Sequence, residues 1–107
     1  MNKLLLIDIG GTNMRYATAY SDSDEISSIN KKAFNEATFY ENLEELIKEN
    51  NINTLIMSVA GPKIDNSITM TNKNFSFDQD NLKEKFKLKE CYLLNDWESI
   101  AHSYSYI

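Results

Sequence analysis

The chain is poor in residues that constrain or cross-link a fold: it has one cysteine, one proline and three glycines in 107 residues. A single cysteine, Cys91, excludes an internal disulfide and a zinc site built from cysteines. Because Cys91 opens an apolar stretch, we interpret it as an inert core thiol. The longest aliphatic run covers residues 4–7, too short for a membrane span, and the N-terminus has no signal-peptide pattern. We therefore expect a cytoplasmic protein with no membrane partner.

Positive charge is also scarce. Sixteen acidic residues against eleven basic ones give a net charge of −5, and Arg15 is the only arginine. No basic stripe runs along the sequence, so we expect no nucleic-acid partner. Four alternate lysines are interpreted as a solvated face: Lys83, Lys85, Lys87 and Lys89. The hydrophobic content of 42% is typical of a globular protein, and the length allows one domain.

Apolar patterning predicts a meander of three strands followed by βα units. The nearly continuous run KLLLIDI, residues 3–9, predicts a strand that is covered on both faces. Residues 14–20 predict the returning strand of a hairpin, and residues 26–34 a weaker third strand. Two later apolar runs, at residues 54–60 and 91–94, predict further strands, with a short extended piece near residues 67–70.

Helices are predicted between and after the later strands. The first begins with a capping box formed by Thr38 and Glu41 and ends near residue 50. The second begins with a capping box formed by Ser76 and Gln79. A third follows the last strand, with one apolar stripe: Trp97, Ile100, Ala101 and Tyr104. The order β, β, β, α, β, α, β, α predicts an α/β domain with a mixed sheet.

The sequence DIGGTN at residues 8–13 is the first candidate site. Gly10 and Gly11 in a hairpin turn let backbone N–H groups face a bound anion, and Thr12 and Asn13 add side-chain donors. Asp8, close to the end of a buried strand, would hold Mg²⁺ through water. The pattern is neither a Walker A loop nor GxGxxG. A plain glycine hairpin is the alternative, but the carboxylate within a buried strand favours phosphate binding.

Asn95 and Asp96 follow the predicted strand at residues 91–94. Ligands of open α/β sheets bind at the carboxyl ends of strands, so a carboxylate there can meet a substrate. Asp96 could accept the proton of an alcohol during phosphoryl transfer to its oxygen. The alternative is that Asp96 only caps the helix that follows.

Neutral polar groups stand beside an aromatic residue at positions 70–75. Thr71 and Asn72 offer hydroxyl and amide groups, and Phe75 offers a ring on which the C–H face of a sugar could pack. This composition suits a sugar-binding loop, although ordinary polar loops have it too.

Residues 8–15, DIGGTNMR, resemble the opening phosphate loop of hexokinase-type sugar kinases, which have the ribonuclease H-like, actin-like ATPase fold. Three later segments, AGP at 60–62, MTN at 70–72 and LNDW at 94–97, stand in the order found in bacterial glucokinases. In that family Trp97 is commonly Phe, a conservative difference. The resemblance covers the chain from residue 3 to about residue 103 and implies phosphorylation of glucose by ATP.

The resemblance also implies residue roles. The nucleotide phosphates would be bound by Asp8, Gly10, Gly11, Thr12 and Asn13, with Asp8 directed toward Mg²⁺. Asn95 and Asp96 would bind glucose hydroxyls, with Asp96 the catalytic base on the 6-hydroxyl. Thr71 and Asn72 would line the sugar cleft. Arg15 would pair with an acid beside the loop.

By this resemblance, residues 1–107 are the small N-terminal lobe of a two-lobed enzyme whose larger C-terminal lobe is absent. The lobe alone should bind glucose and ATP weakly and turn over little, because near-attack geometry needs both lobes. Apolar surface on the last helix is compatible with a homodimer. The alternatives are another hexose or amino-sugar kinase, a non-catalytic sugar- or nucleotide-binding module, and an exopolyphosphatase-like hydrolase of the same fold. A repressor-fused relative is disfavoured, because no helix-turn-helix precedes the phosphate strand.

Overall fold

A computed structural model describes residues 3–10, 12–20, 26–70 and 75–95 of the chain. The strands are β1 (Lys3–Gly10), β2 (Asn13–Tyr20), β3 (Asn30–Ala33), β4 (Thr54–Val59), β5 (Lys63–Ile64), β6 (Ser67–Thr69), β7 (Ser76–Asp78) and β8 (Glu90–Asn95). The helices are α1 (Phe39–Glu49) and α2 (Gln79–Lys85). The predicted helix that contains Trp97 lies outside the described residues. No helix within the described ranges is long and apolar enough to cross a membrane.

The main sheet has five strands in the order β3-β2-β1-β4-β8. The meander β1-β2-β3 is antiparallel, whereas β1, β4 and β8 are parallel, which confirms the predicted mixed sheet. The third strand is shorter than predicted, because Ile26 forms only an isolated bridge with Ala19 and pairing resumes at Asn30. A second antiparallel sheet, β5-β6-β7, stands where only a short extended piece was predicted.

One face of the main sheet carries the hydrophobic core. Along β1, Leu5, Ile7 and Ile9 are buried, while Leu4 and Leu6 on the other face are half-buried. The steps from β1 to β4 and from β4 to β8 run in the same direction across the sheet, so right-handed crossovers put α1 and α2 on the same face. Within the described ranges, therefore, β1 is covered on one face only, and not on both as predicted.

Helix α1 packs its predicted apolar side on the sheet, with Phe39, Leu43 and Ile47 buried. It ends at Glu49, close to the predicted position, and Asn51 adopts a left-handed backbone with φ 54°. Thr38 is the N-cap residue, as predicted, but the hydrogen bond of the predicted capping box is absent. Thr38 makes no side-chain cap hydrogen bond, and its hydroxyl instead accepts from the side-chain amide of Asn42 at 3.4 Å.

The capping box predicted for α2 is wrong, because β7 runs on to Asp78 and this residue becomes the cap. Its carboxylate accepts from the backbone N–H of Asn81 at 2.9 Å and from the hydroxyl of Ser67 at 2.7 Å. The side chain of Gln79 accepts instead from the backbone N–H of Leu93 at 3.0 Å, which ties α2 to β8. Ser76 lies in β7, with its hydroxyl 2.8 Å from that of Thr69.

Two smaller predictions are confirmed. Cys91 is buried in the core, and burial raises the pKa of its thiol to about 11, which makes the thiol unreactive at neutral pH. All four alternate lysines between residues 83 and 89 are exposed.

Candidate functional site

The turn between β1 and β2, residues 10–13, is here called the glycine turn. Gly10 pairs with Asn13, so only two residues connect the strands. The side-chain amide of Asn13 donates to the hydroxyl of Thr12 at 3.2 Å. The backbone N–H of Phe34, just after β3, donates to the carbonyl of Thr12 at 2.9 Å. The glycine turn is thus supported by β3 as well as by its own strands. Gly11 lies outside the described residues.

A concavity of about 410 Å³ opens beside the glycine turn. Its lining residues are Asp8, Gly10, Thr12, Asn13, Arg15 and Lys31. Four residues that the sequence analysis assigned to the nucleotide phosphates therefore lie together around one open space.

Gly10 leaves this concavity open. A Cβ built on Gly10 meets no protein atom within 4 Å, and its φ lies outside the left-handed region. Neither packing nor backbone conformation therefore requires glycine here. The missing side chain instead gives a ligand access to the backbone, as a phosphate-binding turn needs.

The carboxylate of Asp8 lies in a row of charged residues that crosses three strands. Asp8 on β1 pairs with Arg15 on β2, and Arg15 pairs with Lys31 on β3; we call these three residues the charged row. All three are exposed. Within the described part of the chain, Arg15 forms no ion pair with Asp8 or with another acid, contrary to the pairing that the resemblance implied.

The donor set fits Mg²⁺ held jointly with phosphate oxygens. No group of three or more His, Cys, Asp or Glu residues gathers in the described ranges, so these ranges offer no all-protein metal cage. Asp8 supplies one carboxylate to the lining, and Mg²⁺ commonly binds through one or two carboxylates and substrate phosphates while it keeps several waters.

The second candidate site begins at the same edge of the sheet. Because β1, β4 and β8 are parallel, their carboxyl ends lie together, and Ile9, Val59 and Asn95 form one register row. Two strand spacings separate Asn95 from Ile9, about 10 Å. Asn95 is half-buried at the end of β8. Asp96, the predicted catalytic base, lies outside the described residues.

Thr71 and Asn72, the predicted sugar-cleft residues, also lie outside the described ranges, but the segment's two ends are described. The backbone N–H of Met70 donates to the carbonyl of Phe75 at 2.9 Å. The ring of Phe75 packs against Phe34 and Phe77, with centroids 5.9 and 4.9 Å away. The half-buried ring of Phe75 therefore anchors the segment in an aromatic cluster, and its contact with a sugar stays a prediction.

Gly61 has a packing role. A Cβ on Gly61 would lie 2.1 Å from the backbone oxygen of Thr69, a distance that no side chain can occupy. The end of β4 and β6 therefore approach each other closely only because position 61 is glycine, which joins the small sheet to the main one.

Lys31 is the lining residue that was not predicted from the sequence. Its only signal was a pair of lysines, Lys31 and Lys32, in a weakly patterned strand. Which of the two faces the concavity depends on the register between β2 and β3, and the sequence pattern does not specify that register.

The chain resembles solved structures of sugar kinases in its fold. The chain superposes on a glucokinase from an Antarctic psychrotroph with a TM-score of 0.74 at 21% identity, covering 91% of this chain and 33% of that one. A putative N-acetylmannosamine kinase from Listeria monocytogenes gives a TM-score of 0.66 at 18% identity, with coverages of 88% and 35%. The glycine turn and the mixed sheet thus belong to the actin-like ATPase fold of the sugar kinases.

Sequence comparison identifies the family within that fold. The profile of the glucokinase family matches residues 5–107, and the chain belongs to this family. It is 37% identical over 101 residues to the glucokinase of Colwellia psychrerythraea, covering 91% of this chain and 31% of that protein. It is 30% identical over 108 residues to the glucokinase of Erwinia tasmaniensis, with coverages of 94% and 33%. The chain spans about a third of the length of the curated relatives it matches.

Proposed function

We propose that this chain belongs to a cytoplasmic, ATP-dependent glucokinase, which converts D-glucose and ATP into glucose 6-phosphate and ADP. One observation carries the proposal: the glycine turn, which lines a concavity of about 410 Å³, lies at the same carboxyl edge of the parallel strands as Asn95. Membership of the glucokinase family supports it. The glucokinase of Balamuthia mandrillaris, similar in fold with a TM-score of 0.65 at 19% identity, was solved in complex with glucose.

In the proposed reaction, Asp96 accepts the proton of the 6-hydroxyl as that oxygen bonds to the γ-phosphorus of ATP. The bond from this phosphorus to the bridging oxygen breaks, and ADP leaves with that electron pair. Asn95 binds a neighbouring glucose hydroxyl, and Thr71 and Asn72 line the sugar cleft. Phosphoryl transfer depends mainly on positioning and charge stabilisation, and polar side chains of these types can supply both.

The glycine turn holds the phosphates in this proposal. Backbone N–H groups at Gly10 and Gly11, with the side chains of Thr12 and Asn13, donate to phosphate oxygens. Asp8 would hold Mg²⁺ through water, and bound Mg²⁺ supplies positive charge that offsets the charge on the phosphates.

We further propose that residues 1–107 form one lobe and that a second lobe completes the cleft. The half-buried apolar side chains Leu4, Leu6 and Ile56 on one face of the main sheet support this, because parallel sheets are usually covered on both faces. The isolated lobe should then show little turnover. Self-association of the lobe stays a prediction, which analytical ultracentrifugation tests.

A coupled assay for glucose 6-phosphate tests the function. We would assay the intact protein with Mg·ATP and glucose, beside its Asp96→Asn and Asp65→Asn variants. Asp65 is a matched control because it lies exposed in the β5–β6 turn, with φ 56°, a conformation that asparagine also adopts. Asp96→Asn should lower kcat by about 10²- to 10⁴-fold, the usual contribution of a general base. Asp65→Asn should leave kcat unchanged.

A panel of hexoses and amino sugars decides the substrate. Activity with another sugar but not with glucose would replace glucose in the proposal and keep the kinase. Glucose binding without transfer would indicate a non-catalytic module. Release of phosphate from ATP or polyphosphate without any sugar product would indicate a hydrolase.

A further inference from the structure

Two cations face each other beside the glycine turn. Arg15 on β2 pairs directly with Lys31 on β3, and both side chains are exposed and line the concavity. Like charges directly opposite each other destabilise an antiparallel pair. In the part of the chain that the structure describes, neither cation forms an ion pair with a carboxylate. Although the net charge of the chain is −5, Arg15 and Lys31 line the concavity with a single carboxylate, that of Asp8, so the charged side chains of the lining sum to a positive charge where an anion is proposed to bind.

We propose that Lys31 is a phosphate-binding residue of this site and contacts the polyphosphate chain of the bound nucleotide together with Arg15. The inference rests on the proposed function, because it takes the concavity as the nucleotide site. The two cations complement each other chemically, since a guanidinium binds oxygens in a fixed fork and an ammonium acts as a mobile point charge. A polyphosphate would relieve the repulsion between them.

The backbone that carries Lys31 is hydrogen-bonded to β2 and, just after β3, to the glycine turn. Pairing of β2 with β3 continues to Asn13 and Ala33, and the hydrogen bond from Phe34 to Thr12 follows at 2.9 Å. A phosphate held by the glycine turn and a cation on β3 therefore have a stable relative position, as a preorganised site requires.

Lys32 provides a matched control. It pairs with the buried Met14 and does not line the concavity, because neighbouring residues of a strand point to opposite faces. Lys31→Met and Lys32→Met remove the same charge from adjacent exposed positions of one strand. Any difference between them reports the direct contact, and not the net charge of the protein.

Isothermal titration calorimetry on the intact protein at low salt tests the inference, with inorganic tripolyphosphate and Mg·ATP as probes. Lys31→Met should weaken the binding of both probes by about tenfold, the order expected for one charge-assisted hydrogen bond. Lys32→Met should bind both like the wild type, and Lys31→Arg should restore most of the loss. The difference in affinity between the wild type and Lys31→Met should shrink as salt is added, because salt screens an exposed charge. Without ligand, Lys31→Met should melt at or above the wild-type temperature, because it removes the repulsion with Arg15.

Equal binding by Lys31→Met and the wild type would overturn the inference, and so would equal weakening by Lys31→Met and Lys32→Met. A lower melting temperature of Lys31→Met without ligand would indicate a structural role and would also count against it. These outcomes leave the proposed function intact as long as the wild type binds Mg·ATP. If the wild type binds neither probe, the nucleotide site itself is wrong and the inference falls with it.

Discussion

The rings of Phe34 and Phe75 meet nearly edge to face, with centroids 5.9 Å apart and an interplanar angle of 84°. Phe34 donates its backbone N–H to Thr12 in the glycine turn, and Phe75 accepts the backbone N–H of Met70 across the segment that contains the proposed sugar-cleft residues. The contact between these two rings thus connects the residue that holds the proposed phosphate site to the residue that holds the proposed sugar site. It lies inside an aromatic cluster that also includes Phe39 and Phe77.

This contact predicts that Phe34 and Phe75 are energetically coupled. In a double-mutant cycle of Phe34→Leu and Phe75→Leu, the free energies of unfolding from urea titrations should show a coupling of about 1 kcal/mol, typical of an aromatic pair. The substitutions keep apolar volume and remove the ring geometry. Exposed Tyr92, absent from the ring contacts of the cluster, provides the control, and Tyr92→Leu should not couple to Phe34→Leu. Additive effects of the Phe34 and Phe75 variants would refute the link.

Two glycines should respond to alanine in opposite ways. Gly61→Ala forces a Cβ against the backbone of Thr69 and should destabilise the fold by about 3 kcal/mol, as severe overpacking does. Gly10→Ala meets open space and should change the free energy of unfolding by less than about 0.5 kcal/mol. It should nevertheless weaken Mg·ATP binding, because its methyl group projects into the concavity.

Urea titration and calorimetric titration of Mg·ATP measure the two effects separately. A Gly10→Ala variant that binds Mg·ATP like the wild type would exclude Gly10 from the phosphate site. A Gly61→Ala variant as stable as the wild type would contradict the close approach of Gly61 to Thr69.

The cap of α2 predicts that the stability of the fold depends on pH in the acidic range. Hydrogen bonds from Ser67 and then from Asn81 lower the pKa of Asp78 below its ordinary value of 3.8. A lowered pKa in the folded state means that the charged cap contributes stability above pH 3.8, and that this contribution is lost as the pH falls through the folded-state pKa. Asp78→Ala should therefore lower the melting temperature by a few degrees at neutral pH and by less in acid.

Circular dichroism melts near pH 7 and pH 3 provide the comparison. Asp78→Asn, which keeps an acceptor for the helix N–H groups, should be closer to the wild type at neutral pH. If Asp78→Ala lowers the melting temperature by the same amount at both pH values, the carboxylate charge contributes nothing to the cap.

The buried thiol of Cys91 predicts that the stability of the fold depends on pH in the alkaline range. Desolvation raises the pKa of Cys91 from 9.0 to about 11, with a smaller contribution from Asp80 in the same direction and an opposing one from Lys83. A raised folded-state pKa means that this contribution to stability is complete below pH 9.0 and is lost as the pH rises from there toward 11. The difference in unfolding free energy between the wild type and Cys91→Ala should therefore narrow by about 1 kcal/mol near pH 10.

Alkylation by iodoacetamide checks the same burial independently. Cys91 should react slowly in the native protein at pH 8 and rapidly in urea, because the thiolate is the nucleophile. Fast native alkylation would mean that the end of β8 opens readily and that Cys91 is not an inert core residue.

The elements of the main sheet could be predicted because their signals are local. The apolar run before Asp8, the alternation over residues 14–20 and the spacing of Phe39, Leu43 and Ile47 depend on neighbours in the chain, and each predicted the correct element. The capping box of α2 was wrong because a cap depends on where the preceding segment ends, and that of α1 placed the N-cap correctly but not its hydrogen bond. Strand pairing extended β7 to Asp78, and the hydroxyl of Thr38 bonded to Asn42.

The amino-acid sequence by itself determined the family, the mixed α/β sheet and the residues of the glycine turn itself, because motif and periodicity are properties of adjacent residues. Tertiary structure alone decided which partners those residues meet. The register of β2 and β3 brought Lys31, and not Lys32, to the concavity, and close approach of Thr69 made Gly61 necessary. Packing of distant segments also gave Phe75 its ring contacts with Phe34 and Phe77. Contacts between residues far apart in sequence depend on register and on competition for partners, and no local pattern specifies either.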